Sequence, residues 1–283
     1  MISAQELLLS LEIGLIYGIV AIGIYITFRA INFPDMTCDG SFILGAVVSS
    51  VTIKCGYNPC LSIGLAFLSG GLSGFFTGIL NIWLKIEDLL SGIIIAFMLY
   101  SISLRIMGDS PNITFIDEFT VFSGGKPLCA IATILFILVV FFIFILNTDF
   151  GLSLRAVGKN KKFISIYGAS VNALIFTGLI ASNAMIGMCG ALFTQYQGFC
   201  DISQGTGTLV IGLASVIIGN TIFSFKSVFW SVPACVIGSV LYRVFMVFAM
   251  HSDSLGLKTQ DLNLVTGILM ITLTILRKRK CSS

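Results

Sequence analysis

The chain has 283 residues, 57% hydrophobic and only 10% charged, with a mean hydropathy of +1.03 and a formal charge of +3. A soluble domain carries about 25% charged residues, so this composition excludes a water-covered globule and makes lipid the solvent for much of the surface. The basic residues sit in short connectors and form no stripe, which excludes nucleic acid as a partner.

In chain order the sequence predicts an all-α polytopic integral membrane protein, a single transmembrane domain over residues 1–283 with about eight to nine transmembrane helices. The opening MISAQELLLSLEIGLIYGIVAIG has no basic segment and no small-residue cleavage site, so it reads as a retained first span. Apolar runs long enough, or nearly so, to cross about 30 Å of hydrocarbon lie near 7–28, 38–53, 60–84, 89–108, 129–147, 169–196, 206–224, 227–250 and 262–276. The run at 38–53 is short and comes after NFPDMTCDG, which marks a broken helix that either crosses fully or enters halfway. Asp88 and Asp261 each open a run and are expected as N-caps. GIVAIG (18–23) and GLSGFFTG (71–78) carry small residues at helix-packing spacing. The eight cysteines show no metal-like spacing; most are expected as free thiols in lipid, while Cys55 and Cys60 share a connector where a disulfide is conceivable.

Counting basic residues orients the chain. If RKRK (277–280) is cytoplasmic and every run crosses, that side holds Arg29, Lys85, Arg155, Lys159, Lys161, Lys162, Lys226 and the four tail residues, eleven in all. The outside holds four, Lys54, Arg105, Lys126 and Lys258, and Arg243 falls within a span. This positive-inside bias puts the C-terminus in the cytoplasm, and the N-terminus and the acidic connector GDSPNITFIDEFTVFSGG outside. It also favours a full crossing at 38–53.

An echo runs through the sequence. DGSFILGAVVSS (39–50) aligns without gaps to TGTLVIGLASVI (206–217), with Gly40 over Gly207, Ser41 over Thr208 and Gly45 over Gly212. LLSGIII (89–95) resembles LVTGILM (264–270), with Gly92 over Gly267. The topology sends the two copies in opposite directions, so repeats at about 30–108 and 197–276 are expected to be inverted, as in many transporters.

Enzyme chemistry finds little support. GGKP (124–127) lacks the spacing of a phosphate loop, there is no HExxH or nucleophile elbow, and the one histidine, His251, sits at a span end. Glu12 and Arg243 are the main charges within spans and form no evident pair. Carriers driven by ion gradients usually need paired titratable groups at midplane, so the energy for any transport is expected from outside the chain.

LRAVGKNKKFISIYGAS (154–170) holds four of the sixteen basic residues. It is either a stop-transfer loop or a short cytoplasmic helix, with Leu154, Val157 and Ile164 as apolar contacts, a basic rim, and Gly158 and Gly168 allowing tight turns at its ends. The residues alone support both readings.

Extended to residue 199, the stretch LRAVGKNKKFISIYGASVNALIFTGLIASNAMIGMCGALFTQYQGF resembles the permease subunits of bacterial ABC importers in the branched-chain amino acid and ribose permease group. The matching positions are Arg155, Ala156, Gly158 and Asn160, then Gly168, then Gly190, Ala191, Leu192 and Gly198, although Ala169 stands where Ile or Val is usual. TFRAINFPDMTCDGSFILGAVV (27–48), LYSISLRIMGDSPNI (99–113) and GLASVIIGN (212–220) resemble the tryptophan/tyrosine-type permease subgroup more closely. The resemblance spans nearly the whole chain. It implies a bacterial inner-membrane importer subunit for a small solute such as an amino acid, with no ATPase site and no cofactor of its own. It also implies two ATPase subunits that bind ATP and Mg on the cytoplasmic face, an extracytoplasmic substrate-binding protein, and a second permease copy, as a homodimer or paired. The coupling segment would lie at about 149–168 and contain Arg155, Ala156, Gly158, Asn160 and Gly168. An autonomous secondary carrier or channel is the alternative.

If the halves are inverted, two polar helix openings should converge on a solute route. The first, PDMTCDGS (34–41), offers Asp35, Thr37, Asp39 and Ser41, and the second, QYQGFCDISQGTGT (195–208), offers Gln195, Gln197 and Thr206. Ordinary turns capped by Asp39 and Thr206 are the other reading of the same residues.

Overall fold

Backbone in hydrocarbon has no water to bond, so a helix, which closes its own hydrogen bonds, is the state open to the long apolar runs. The computed structural model describes residues 4–166, 168, 170–223, 228–250 and 264–272. Lys226, His251, Lys258, Asp261 and the basic tail lie outside these residues. Helix α1 (Ala4–Ile24) continues into a π-helical stretch (Tyr25–Ala30), then come α2 (Cys38–Lys54), α3 (Pro59–Ile82) and α4 (Asp88–Ile106). Strand β1 (Asn112–Thr114) precedes α5 (Pro127–Asn147) and the short α6 (Asp149–Lys159) and α7 (Lys161–Ile166). After α8 (Val171–Gln197), strand β2 (Phe199–Asp201) and a 3-10 turn (Ile202–Gly205) lead into α9 (Thr208–Phe223) and α10 (Val228–Met250). Residues 264–272 are also helical. Apart from the β1–β2 ribbon, which is antiparallel and joins the 108–125 connector to the segment after α8, the described residues are all-α.

Seven helical stretches among the described residues are long and apolar enough to cross a membrane: 4–30, 59–82, 88–106, 127–147, 171–197, 202–223 and 229–250. Helix α2 is not among them. Its 17 residues rise about 25 Å, short of the roughly 30 Å of hydrocarbon. Helix α4 begins at Asp88, one residue earlier than a cap there would have it: Glu87 holds the N-cap position, and the Asp88 carboxylate accepts from Asn81 Nδ2 at 2.6 Å. Cys55 and Cys60 are both free and exposed.

The two halves pack alike. Helix α3 lies along α8 as α10 lies along α1, and α2 packs on α8 as α9 packs on α1. These symmetric contacts suggest an internal repeat. Helices α1 and α8 run in opposite directions: Tyr196 donates to Glu12, Cys189 Sγ to the Ile16 carbonyl at 3.2 Å, and Ser182 Oγ to the Gly23 carbonyl at 2.7 Å. The aligned glycines Gly45 and Gly212 both mark close approach. A methyl group at Gly45 would overlap the Gly187 backbone of α8, and one at Gly212 would overlap the Ile24 side chain of α1. The second alignment is not mirrored, because Gly92 abuts the Met36 backbone while Gly267 faces open space.

Helix α2 starts beside the middle of α8, and a closed polar network holds that start. Asp35 accepts from the Thr37 backbone N–H at 2.8 Å and from Asn183 Nδ2 at 2.7 Å. Ser41 donates to Asn183 Oδ1 at 2.6 Å and pairs with Ser73, and Thr37 pairs with Thr77 at 2.7 Å. Asp35, Thr37, Ser41, Asn183 and Thr77 have no exposed surface. Polar groups shut away like this are stabilising only when paired.

The packing predicts two outcomes. Gly45→Leu should destabilise the bundle by about 1–3 kcal/mol through overpacking, whereas Gly64→Leu, at a position with open space, should not; heating the detergent-solubilised chain and measuring the monodisperse fraction compares them. Asn183→Leu removes a donor to the buried Asp35 and should cost about 1–3 kcal/mol in the same assay, more than Asn147→Leu at an exposed end of α5.

Candidate functional site

The two polar openings meet inside the bundle. Helix α9 begins next to the first turn of α2, and the Asp39 carboxylate accepts from the Gly207 N–H at 3.2 Å and the Leu209 N–H at 2.8 Å. The first N–H groups of a helix have no partner within it and carry partial positive charge. A carboxylate from the opposite half therefore terminates α9. Asp39 also sits in the first turn of α2, so one acidic group faces two helix N-termini, a favourable placement for negative charge.

Beside this junction lies a cleft of about 550 Å³ lined by Asp39, Gly40 and Ile43 of α2, Ala96, Phe97 and Tyr100 of α4, and Thr206. A second, of about 280 Å³, lies against α9 and α10 and also reaches Thr206. Thr206 donates to the Ser203 carbonyl at 2.6 Å and closes the 3-10 turn. Asp39 and Thr206 are thus the expected residues that line these two clefts. Asp35, Thr37 and Ser41 are instead consumed by the network under α2. Gln195 is spent too: its amide nitrogen reaches Ser49, Ser62 and the Pro59 carbonyl, and its oxygen accepts from the Val121 N–H at 3.2 Å. It joins α2, α3 and the 108–125 connector. Gln197 accepts from Gln204 at 2.9 Å near the β1–β2 ribbon.

The basic segment forms an elbow of two helices, α6 and α7, broken at Asn160, whose φ of −157° and ψ of 99° leave the helical region. Thr148 caps α6 by accepting from the Gly151 N–H, and Asn160 Oδ1 accepts from the Phe163 N–H at 3.1 Å, starting α7. Leu154, Val157 and Ile164 are buried in the protein's own core, so they fasten the elbow to the bundle and offer no surface to a partner. Phe150 and Leu152 of α6 and Phe163 and Ile166 of α7 are exposed apolar residues, and Lys159, Lys161 and Lys162 are exposed on the same elbow. Arg155 donates to the Gly151 carbonyl at 3.2 Å and to the Leu146 carbonyl at 3.3 Å, satisfying backbone at the end of α5. Gly158 is no turn: it lies within α6, where a methyl group would overlap the Ala30 carbonyl. Gly168 does turn the chain, with φ of 79°. Ala156 packs against the core. The elbow is therefore seated on the ends of α1 and α5, and Leu154 also reaches Gly178 of α8.

Sequence reasoning missed Asn183, Ser73 and Thr77. A lone amide in the middle of the 27-residue apolar α8 was the available signal, since such a group in lipid demands partners. Ser73 and Thr77 were hidden inside a small-residue packing motif.

Residues 7–274 match the family described as "Branched-chain amino acid transport system / permease component". The chain is 40% identical over 259 residues to a tyrosine transport system permease protein of Clostridioides difficile (strain R20291), covering 91% of this chain and 86% of that one. It is 32% identical over 278 residues to an uncharacterised protein of Rickettsia prowazekii (strain Madrid E), covering 93% and 95%. It is 27% identical over 216 residues to the inner membrane ABC transporter permease protein YjfF of Escherichia coli (strain K12), covering 73% and 65%. No solved structure matches. A match over nearly the whole length, on a bundle of membrane-length helices, makes the conclusion direct: the chain belongs to the branched-chain amino acid transport permease family of ABC transporters, membrane permeases that have no ATPase activity of their own.

Proposed function

We propose that this permease imports a small solute, an amino acid, across the bacterial inner membrane with energy from separate ATPase subunits. The single observation that carries the reading is the α6–α7 elbow: it presents an exposed basic and apolar face while being pinned to α1 and α5 by Gly158 and Arg155. A push on that face is delivered to the transmembrane helices at Ala30 and Leu146. Ala30 ends the π-helical part of α1, a form of helix frequent at functional sites. From there seven residues (31–37) lead to α2 and to Asp39, which holds the opening of α9. Residues Arg155, Ala156, Gly158, Asn160 and Gly168 are then the coupling elements within 149–168, and Asp39 and Thr206 border the solute route.

In this reading the elbow and the C-terminus face the cytoplasm, in line with the basic-residue bias, and the β1–β2 ribbon faces outward towards a substrate-binding protein. Two ATPase subunits bind ATP and Mg, and a second permease copy completes the transporter. Helix α2, extended by the 31–37 connector, and the run ending near 276 raise the crossings to eight or nine, within one domain over 1–283 that contains inverted repeats at about 30–108 and 197–276. The amino acid solute is supported by the name of the Clostridioides difficile relative, a tyrosine transport permease.

The test is solute uptake by cells expressing the chain with its ATPase and binding protein. Gly158→Val should displace the elbow and reduce ATP-driven uptake about tenfold, within what 1–3 kcal/mol of overpacking implies, while the chain still reaches the membrane. Unchanged uptake in Gly158→Val and Arg155→Gln would remove the coupling role, and full uptake by the chain alone in liposomes would replace this reading with an autonomous carrier.

A further inference from the structure

The smaller of the two cavities beside the α9 opening contains a cationic side chain. It is lined by Thr206, Gly207, Tyr242, Arg243, Met246 and Thr266. Arg243 lies in the second half of α10, a helix long and apolar enough to span the membrane. Its guanidinium stands over the Tyr17 ring, 4.4 Å from the centroid. Its Nε is shut off from water and has no hydrogen-bond partner. Glu12, the other charge expected within the spans, is engaged by Tyr196. Among the described residues no carboxylate is paired with Arg243.

An ionised group inside a membrane protein is costly and is kept where it pairs with another charge or lines a pathway. Stacking on Tyr17 offsets part of that cost but supplies no counter-charge, and a guanidinium cannot shed its charge. The nearby N–H groups of Gly207 and Leu209 are already taken by Asp39, so they do not compete as an anion site. Among the described residues no anion sits beside Arg243, and a carboxylate is the group whose oxygens a guanidinium's donors match. Tyr242 and Thr266, joined at 2.8 Å on the cavity wall, add hydroxyls next to it.

We infer that Arg243 is a carboxylate-recognising residue on the solute route, so that the permease admits solutes carrying a carboxylate and discriminates against the matching amines. The inference rests on the permease reading and deepens it. At about 280 Å³ the cavity is near the lower end of ligand pockets, roughly 300–1,000 Å³. It therefore suits the head of an amino acid, with the larger cleft across Thr206 available for a side chain.

The test uses a chemical readout and not transport. The purified full-length chain in lipid nanodiscs is treated with phenylglyoxal, an arginine reagent, and modification of Arg243 is tracked by peptide mass spectrometry. The probes are L-tyrosine and L-leucine against tyramine and isoamylamine, which keep the side chains and lack the carboxylate. The expected result is modification without solute, slowed about tenfold by the amino acids, the discrimination that one charge-assisted hydrogen bond carries, and unaffected by the amines. The exposed Arg29 and Arg105 should react equally in every sample. No modification of Arg243, or equal slowing by amino acids and amines, overturns the inference. Neither result touches the coupling assignment, which depends on ATP-driven uptake alone.

Discussion

Everything in this bundle is arranged around backbone groups that hydrocarbon will not solvate. A helix that starts inside a membrane exposes its first N–H groups, each costing several kcal/mol if left bare. Helices α2 and α9 both start within the packed bundle, beside each other. The opening of α9 is paired by Asp39 from the other half, and the opening of α2 is held by Asp35, whose second oxygen is fixed by Asn183 of α8. Two carboxylates thus make two interrupted helices tolerable in lipid.

That solution binds together parts which a mechanism would need to move. Asp39 is the second residue of α2, just past the 31–37 connector, and it is also the partner of α9. The end of α1 is thereby joined, through residues 31–37 and α2, to the start of α9. The elbow adds the other end of the line. Arg155 and Gly158, which the family resemblance sets in the coupling segment, attach α6 to α5 and α1 through a backbone carbonyl and a close steric contact. Lys159, Lys161 and Lys162 next to them are exposed.

Much of this was readable in the linear sequence. Long apolar runs had to become helices, and α5 (Pro127–Asn147) falls almost on the run at 129–147 because Pro127 starts it and polar residues end it. The gapless echo of 39–50 in 206–217 set Gly45 against Gly212, and both lie at close helix approaches, where lipid-buried packing demands small residues. The polar openings were also recognisable, because Asp, Thr and Gln are conspicuous between apolar runs. Which of them stay available was not. Leu154, Val157 and Ile164 looked like a docking stripe, yet they turn inward because α8 and the end of α1 lie on that side of the elbow.

Composition and periodicity by themselves determined the solvent, the helical secondary structure and the polar stretches between apolar runs, all of which depend on neighbours in the chain and on the cost of polar groups in lipid. Only the tertiary structure decided which polar side chains are spent and which face open space. Asp35 finds Asn183 across 148 residues of sequence, Gln195 is consumed by α2 and α3, and Asp39, Thr206 and Arg243 border cavities. A hydrogen bond acts over about 3 Å, so its partner is set by helix packing, and no spacing rule along the chain encodes it.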